Sequence, residues 1–161
     1  MYRWIVFLHI LSALVFFMAH GASAAMAFRL RHERELARIR AILDLSDAML
    51  PVAYFALRGV VLAGIAAGVM AGWFAMGWIW AALGLLMVLW IGMHVYAFRF
   101  YTPLRKAVGL PYRDGKDHPA EPPASESEIA ALIQKANPLL VTIPSLTVVA
   151  VILWLMMFKP F

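Results

Sequence analysis

Four ionisable side chains lie inside stretches of the chain that are otherwise strongly apolar. They are His9, His20, Arg58 and His94. An ionisable group is costly in the hydrocarbon of a bilayer, so such residues indicate a functional site by default. Neutral imidazole nitrogens ligate transition metals, and a guanidinium binds carboxylates through two parallel hydrogen bonds. The first hypothesis is therefore a metal or metal-cofactor site inside a membrane.

The composition indicates an integral membrane protein. Hydrophobic residues make up 64% of the 161 residues and charged residues 14%, whereas soluble domains are roughly half apolar and a quarter charged. A membrane span needs about 20 apolar residues, and four segments are long enough: 4–28, 50–72, 77–100 and 138–158. We predict one all-α domain over residues 1–161, a four-helix bundle surrounded by the lipid bilayer.

The 14 lysines and arginines are distributed unevenly along the chain. They concentrate after the first and third spans, whereas only Arg3 and Lys159 lie on the other side. The positive-inside rule therefore places two loops in the cytoplasm and both termini outside, as in a multi-pass protein of a bacterial-type inner membrane. The same rule accounts for the net charge of +5, so no nucleic-acid partner is predicted.

The connections between the spans have their own patterns. Apolar residues recur every three to four positions in 30–45, which predicts a helix, and Ser46-Asp47 before Pro51 predicts a turn and the start of the next helix. Residues 111–127 are rich in proline and charge and predict a flexible cytoplasmic loop, followed by a short helix before the last span. We expect the first apolar segment to be a span rather than a signal peptide, because it is long enough to cross.

A stripe of small residues runs along the second span. Gly64, Gly68 and Gly72 are spaced four apart, which lets another helix approach closely. The stripe could pack within the bundle, form a homo-oligomer with a second copy, or lie against a flat cofactor. Packing within the bundle is the most frequent use of such a face.

Sequence position converts to depth in the membrane. With cytoplasmic ends near residues 28, 51 and 100, His20, Arg58 and His94 lie eight, seven and six residues inside. At about 1.5 Å per residue, all three are roughly 9–12 Å deep, on three different helices. His9 comes eleven residues before His20 and is therefore nearer the outer face.

A pair of histidines facing each other is how a helical bundle holds a b-type haem. The preferred axial ligands are His20 and His94, and Arg58 at matching depth would pair with a haem propionate. His9 is the alternative ligand, or part of a second, outer site. The chain has no cysteine, which excludes covalent c-type attachment.

Two other uses of these residues are open. Met18, Met26 and Met93 lie near His20 and His94 in sequence, and thioether sulfur with imidazole suits copper(I). This would indicate a copper-handling or transport-associated membrane protein, although methionines in a membrane chain mostly fill packing gaps. The polar residues could also bind only their neighbours, as in a non-catalytic membrane subunit.

Several short motifs resemble those of a known family. The motifs are Trp4-Ile5-Val6-Phe7-Leu8-His9-Ile10, Val88-Leu89-Trp90-Ile91-Gly92-Met93-His94 followed by Arg99 and Arg105, Ile143-Pro144-Ser145-Leu146-Thr147, and Lys159-Pro160-Phe161. Together they resemble the four helices of HemJ-type membrane proteins. The related copper-resistance-D-like domains share the histidine-then-glycine first helix.

The resemblance implies b-type haem and a role in oxidising protoporphyrinogen. We therefore expect electron transfer, or oxidation of a hydrophobic donor such as a quinol or porphyrinogen, by a haem-dependent membrane oxidoreductase. The chain departs from the family at Leu83, where the family has a lysine, and at 22–26, where it has a Leu-Pro-Arg-Leu-type stretch. Without that lysine, His9 lacks the family's partner at its depth, whereas His20 lies opposite His94.

Overall fold

The computed structural model describes the whole chain, residues 1–161. Its helices are α1 (Tyr2–Leu30), α2 (Leu36–Ala48), α3 (Leu50–Met70), α4 (Gly77–Tyr96), α5 (Thr102–Ala107), α6 (Glu126–Lys135) and α7 (Leu139–Phe158), and its strands are β1 (Tyr112–Asp114) and β2 (Lys116–His118). Four helical segments, built around α1, α3, α4 and α7, are long and apolar enough to cross a membrane. The protein is therefore an all-α four-helix membrane bundle, as predicted.

The bundle consists of two helix pairs, α1 with α3 and α4 with α7. The first pair is close because glycines of α3 meet polar side chains of α1: Gly59 lies against Ser12, and Gly64 against the ring of His9. A Cβ atom at Gly64 would approach that ring to 2.9 Å. The two pairs make few close contacts with each other, which leaves space between them.

The small-residue stripe is used within the chain. Beyond Gly64, a Cβ at Gly68 would come within 3.0 Å of Phe74 and Ile79. Gly72 follows the end of α3 with a φ of 69°, a left-handed conformation that glycine adopts without steric cost. These contacts support the interpretation of the stripe as packing within the bundle rather than as a face for a second copy.

Both chain termini and the α3–α4 connection lie at one end of the bundle. The backbone N–H of Trp78 donates to the Phe161 carbonyl at 3.1 Å, and the Lys159 ammonium lies 4.0 Å from the centre of the Trp73 ring. Tyr2 packs edge-on against the same Trp73. Because the termini and this connection share one end, the two longer connections lie at the opposite end.

At that opposite end the connections form a compact cap with its own apolar core. The core residues are Leu30, Ile39, Leu43, Leu104, Ala107, Val108, Ile129 and Ile133. They come from the end of α1, from α2, from α5 with the residue that follows it, and from α6. The short amphipathic helices thus bury their apolar faces against one another. We use the term cap for residues 31–48 and 102–136.

Two predictions about the cap were correct only in part. Residues 112–118 are not a flexible loop but an antiparallel hairpin that turns at Gly115, where φ is 68°. Its strands are three residues long and mostly charged, too short for an alternating apolar pattern to show in the sequence. The turn predicted at Ser46-Asp47 lies instead at Met49, between the end of α2 at Ala48 and the start of α3 at Leu50, and the predicted helix start at Pro51 is within one residue of the observed one.

The start of α2 is fixed by Glu33, which is only 7% exposed. Its carboxylate accepts the backbone N–H groups of Arg34 at 3.0 Å and Glu35 at 3.3 Å, and pairs with Arg29 at 3.3 Å. The hydrogen bond from Arg34 contributes most to lowering the pKa of Glu33 below its ordinary value, followed by that from Glu35. These contacts fix the angle between α1 and α2.

We predict that Gly64→Leu separates α1 from α3, because the added side chain would collide with the His9 ring. Gly84→Leu is the matched control, since a Cβ at Gly84 meets nothing within 4 Å. Thermal unfolding in detergent should show a lower midpoint for Gly64→Leu only, consistent with a loss of a few kcal/mol for overpacking. Equal midpoints for both variants would contradict the packing described for the α1–α3 pair.

Candidate functional site

A cavity of about 220 Å³ lies between the two helix pairs. Both His20, from α1, and His94, from α4, line it. Most of the other lining residues are apolar, so the cavity is an apolar space with a few polar groups, the usual character of a small-molecule site. The cap closes one end of it through Asp47 and Arg105.

The ring of His94 is held by hydrogen bonds on both nitrogens. Nδ1 lies 3.0 Å from the Trp90 carbonyl oxygen, and Nε2 lies 2.8 Å from the Tyr54 hydroxyl. A carbonyl can only accept, so Nδ1 bears the proton and Nε2 accepts from Tyr54. Metal-binding imidazoles are oriented in this way, with one N–H held by a backbone carbonyl and the other nitrogen's lone pair available.

The ring of His20 is positioned differently. It stacks parallel to Phe16, with the ring centres 6.0 Å apart and the planes 3° from parallel. Neither nitrogen of His20 forms a hydrogen bond with the protein, whereas His9 and His94 both do. His20 therefore presents unpartnered imidazole nitrogens at the cavity wall.

His9 does not line the cavity. Its Nδ1 lies 2.8 Å from the Val60 carbonyl oxygen, and its ring packs on Gly64. His9 thus cross-links α1 and α3 at the depth expected for it, toward the end that contains the termini. The structure brings His20 and His94 together at one cavity and leaves His9 apart from them.

The structure corrects the predicted depth of Arg58. The adjacent Gly59 packs on Ser12, which is eight residues from His20 and so about 12 Å away along the helix axis. Arg58 is exposed, does not line the cavity and forms no ion pair or hydrogen bond with the chain. The predicted equal depth of Arg58 and His20 assumed that the second span begins at residue 51, level with the end of the first. In the structure α2 ends only two residues before α3 begins, and the last part of α1, up to Leu30, lies beside α2. The end of α1 is therefore not level with the start of α3.

Two polar residues of the cavity were missed by the sequence analysis. Arg105 is the cation that lines it, with a side chain 15% exposed that pairs with Asp44 at 3.1 Å. Tyr54 supplies the partner of His94. It lies four residues before Arg58 on an apolar helix, and an aromatic residue there gave no signal beyond ordinary span composition.

The wall of the cavity also contains an unsatisfied group. The Tyr96 hydroxyl is buried without a hydrogen-bond partner, and no other buried side-chain nitrogen or oxygen in the chain lacks one. A π-helical turn, Ala97–Tyr101, follows directly; such wide turns are frequent at functional sites. The segment from Trp90 to Tyr101 is therefore where the unusual local features of the bundle concentrate.

The histidines and acids do not form a multidentate metal site by themselves. No group of three or more His, Asp or Glu side chains is arranged to hold a metal ion. At the cavity, two imidazoles and the thioether of Met93 are the groups suited to transition metals. A metal bound there by His20 and His94 would need further ligands from a cofactor.

Comparison of the chain with protein-family models, with curated proteins and with solved structures finds no match. The resemblance to HemJ-type proteins therefore stays an expectation. A proposal for function depends on the arrangement of His20, His94 and the cavity between the helix pairs.

We predict that nitrogen NMR of histidine-labelled protein without added cofactor shows His94 as the Nδ1–H tautomer, because the Trp90 carbonyl can only accept. In Tyr54→Phe the tautomer should persist while the Nε2 resonance shifts, since that nitrogen loses its donor. His9 is the internal control, with Nδ1 held by Val60, and its signals should not move. An Nε2–H tautomer for His94 in the unsubstituted protein would refute the assignment.

Proposed function

We propose that the protein binds a b-type haem between its two helix pairs and acts in electron transfer or in oxidation of a hydrophobic donor such as a quinol or porphyrinogen. The main support is the state of His94: its Nδ1–H is held by a backbone carbonyl and its Nε2 lone pair is directed to a displaceable hydroxyl. His20 lines the same cavity with unpartnered nitrogens.

A tetrapyrrole suits this site better than a bare ion. Two imidazoles alone complete no common transition-metal geometry, and no third histidine or acid joins them. A porphyrin itself supplies four nitrogen ligands to its iron, so the imidazoles of His20 and His94 would complete the ligand set. When bound, the haem would supply one-electron chemistry at its iron.

The chain's own residues would hold and insulate this group. His20 and His94 would hold the haem iron, with their rings oriented by Phe16 and by the Trp90 carbonyl. Arg105, at the cap end, lines the cavity and would replace Arg58 as the propionate partner. Its guanidinium already donates to the carbonyls of Leu43 and Pro111 and to Asp44, so a propionate would compete with Asp44 for it. The apolar walls keep water away, which tunes the reduction potential.

The cavity must widen to accept such a ligand. Its volume of about 220 Å³ is below the ~300–1,000 Å³ of most ligand pockets. The α1–α3 pair is packed tightly through its glycines, whereas the two pairs share few close contacts. Widening would therefore occur by movement of one pair relative to the other, and the Tyr54–His94 hydrogen bond would break as it does so.

Copper handling is the second candidate, and one observation favours it. Met93 lines the cavity together with His20 and His94, and two imidazoles with one thioether form a copper(I) site of ordinary composition. Met18 and Met26 do not line this cavity. A copper site here would rest on Met93 alone among the ten methionines.

We predict that His94→Ala and His20→Ala each abolish haem retention, whereas His9→Ala retains it, because His9 lies outside the cavity. The measurements are a reduced-minus-oxidised visible spectrum and a pyridine haemochrome assay on detergent-purified protein from haem-replete cells. The unsubstituted protein should show a low-spin b-type spectrum. A colourless protein that binds one copper ion, lost in Met93→Leu, would support the second candidate instead.

We also predict that Arg105→Gln weakens haem binding without changing the axial-ligand spectrum. A charge-assisted hydrogen bond contributes about 1.5–3 kcal/mol, so the affinity should fall by roughly 10- to 100-fold. Arg105→Lys should restore part of it, and Arg58→Gln is the matched control, since Arg58 is outside the cavity. A loss in Arg58→Gln equal to that in Arg105→Gln would return the propionate role to Arg58.

A further inference from the structure

A second cavity, of about 330 Å³, follows the seam between α4 and α7. Its walls are mainly apolar and run from Val88 past Gly92 on α4 to Phe100 in the π-helical turn that follows. A Cβ at Gly92 would meet nothing within 4 Å, so the space continues directly over this glycine. On the α7 side lies Pro144, which has no N–H to give to the preceding turn. We call this cavity the seam groove.

The polar groups of the seam groove are all hydrogen-bond donors, and no acid lines it. Arg99 is exposed and forms no ion pair or hydrogen bond within the chain. The Tyr96 hydroxyl is buried without a partner. Ser145, on α7, is 7% exposed, and its hydroxyl is the third donor. The groove therefore offers several donors and one positive charge to a ligand rich in acceptors.

The position of these groups matches that of a lipid head group. Arg99 lies in the π-helical turn that joins α4 to the cap, at the end of the apolar span, whereas Val88 lies about 16 Å further into the span along the helix axis. Basic pockets between membrane helices on the cytoplasmic side bind anionic head groups. The apolar wall below Arg99 is long enough to receive part of an acyl chain.

We infer that the seam groove binds one anionic phospholipid of the bilayer, with its phosphate at Arg99 and Tyr96 and an acyl chain along Gly92. A guanidinium and a phenol donate to phosphate oxygens in a low-dielectric setting, where such bonds are strong. Tyr96 also lines the groove, and its buried, unpartnered hydroxyl would reach the phosphate after a small movement of the side chain. The groove is formed by α4, the π-helical turn that follows it and α7, and neither His20 nor His94 lines it, so the inference does not rest on the proposed haem.

The test uses full-length protein in nanodiscs that contain equal amounts of phosphatidylglycerol and phosphatidylcholine. After extraction into mild detergent, native mass spectrometry counts the lipids that each protein molecule retains. The unsubstituted protein should retain one phosphatidylglycerol in preference to phosphatidylcholine. Gly92→Leu, which fills the groove, and Arg99→Gln, which removes the charge, should each reduce this retention at least about tenfold, as expected for the loss of ~1.4 kcal/mol or more.

Two matched controls separate this site from lipid that merely surrounds the protein. Gly84→Leu adds the same side chain to α4 at a position with equal room but outside the groove, and Arg58→Gln removes a cation that is equally unpaired and also outside it. Both should retain phosphatidylglycerol as the unsubstituted protein does. Equal retention by Gly92→Leu, equal losses in both arginine variants, or no preference over phosphatidylcholine would each overturn the inference.

Discussion

The close approach of α1 to α3 is the constraint on which the rest of the bundle depends. Without side chains at Gly59 and Gly64, the two helices come near enough for Ser12 and the His9 ring to lie against the backbone of α3. In a bilayer, lipid tails are as apolar as the helix surfaces, so such close packing and interhelical hydrogen bonds supply the association energy. The α1–α3 pair therefore behaves as one body, and the cavity lies where this body meets α4 and α7.

The same packing explains why two histidines of α1 differ in role. His9 lies on the surface that meets α3, where the Val60 carbonyl occupies Nδ1 and Gly64 leaves room for its ring. His20 lies three turns further along, beyond the tightest packing, and its ring rests on Phe16 of its own helix. His9, held against α3, therefore cross-links two helices, whereas His20, which rests on its own helix, is available to a ligand.

The sequence predicts a feature well where local properties of one segment determine it, and poorly where contacts between distant segments do. The number of membrane spans was predicted correctly, because hydrocarbon thickness and hydropathy alone determine it. The depth of Arg58 was not, because depth depends on how α1 slides along α3, and that is set by the contacts at Gly59 and Gly64. The hairpin at 112–118 was missed for a related reason, since its short strands pair through backbone groups that side-chain patterns do not reveal.

The two cavities are not separate in the fold, because Leu89, Met93, Tyr96 and Val141 line both. A side chain in a shared wall cannot move toward one cavity without enlarging the other, since packed interiors deform in discrete steps rather than continuously. Met93 is next to His94 in the chain, and the π-helical turn follows Tyr96 directly. The seam groove and the proposed cofactor site therefore share the stretch of α4 next to His94 as a common wall.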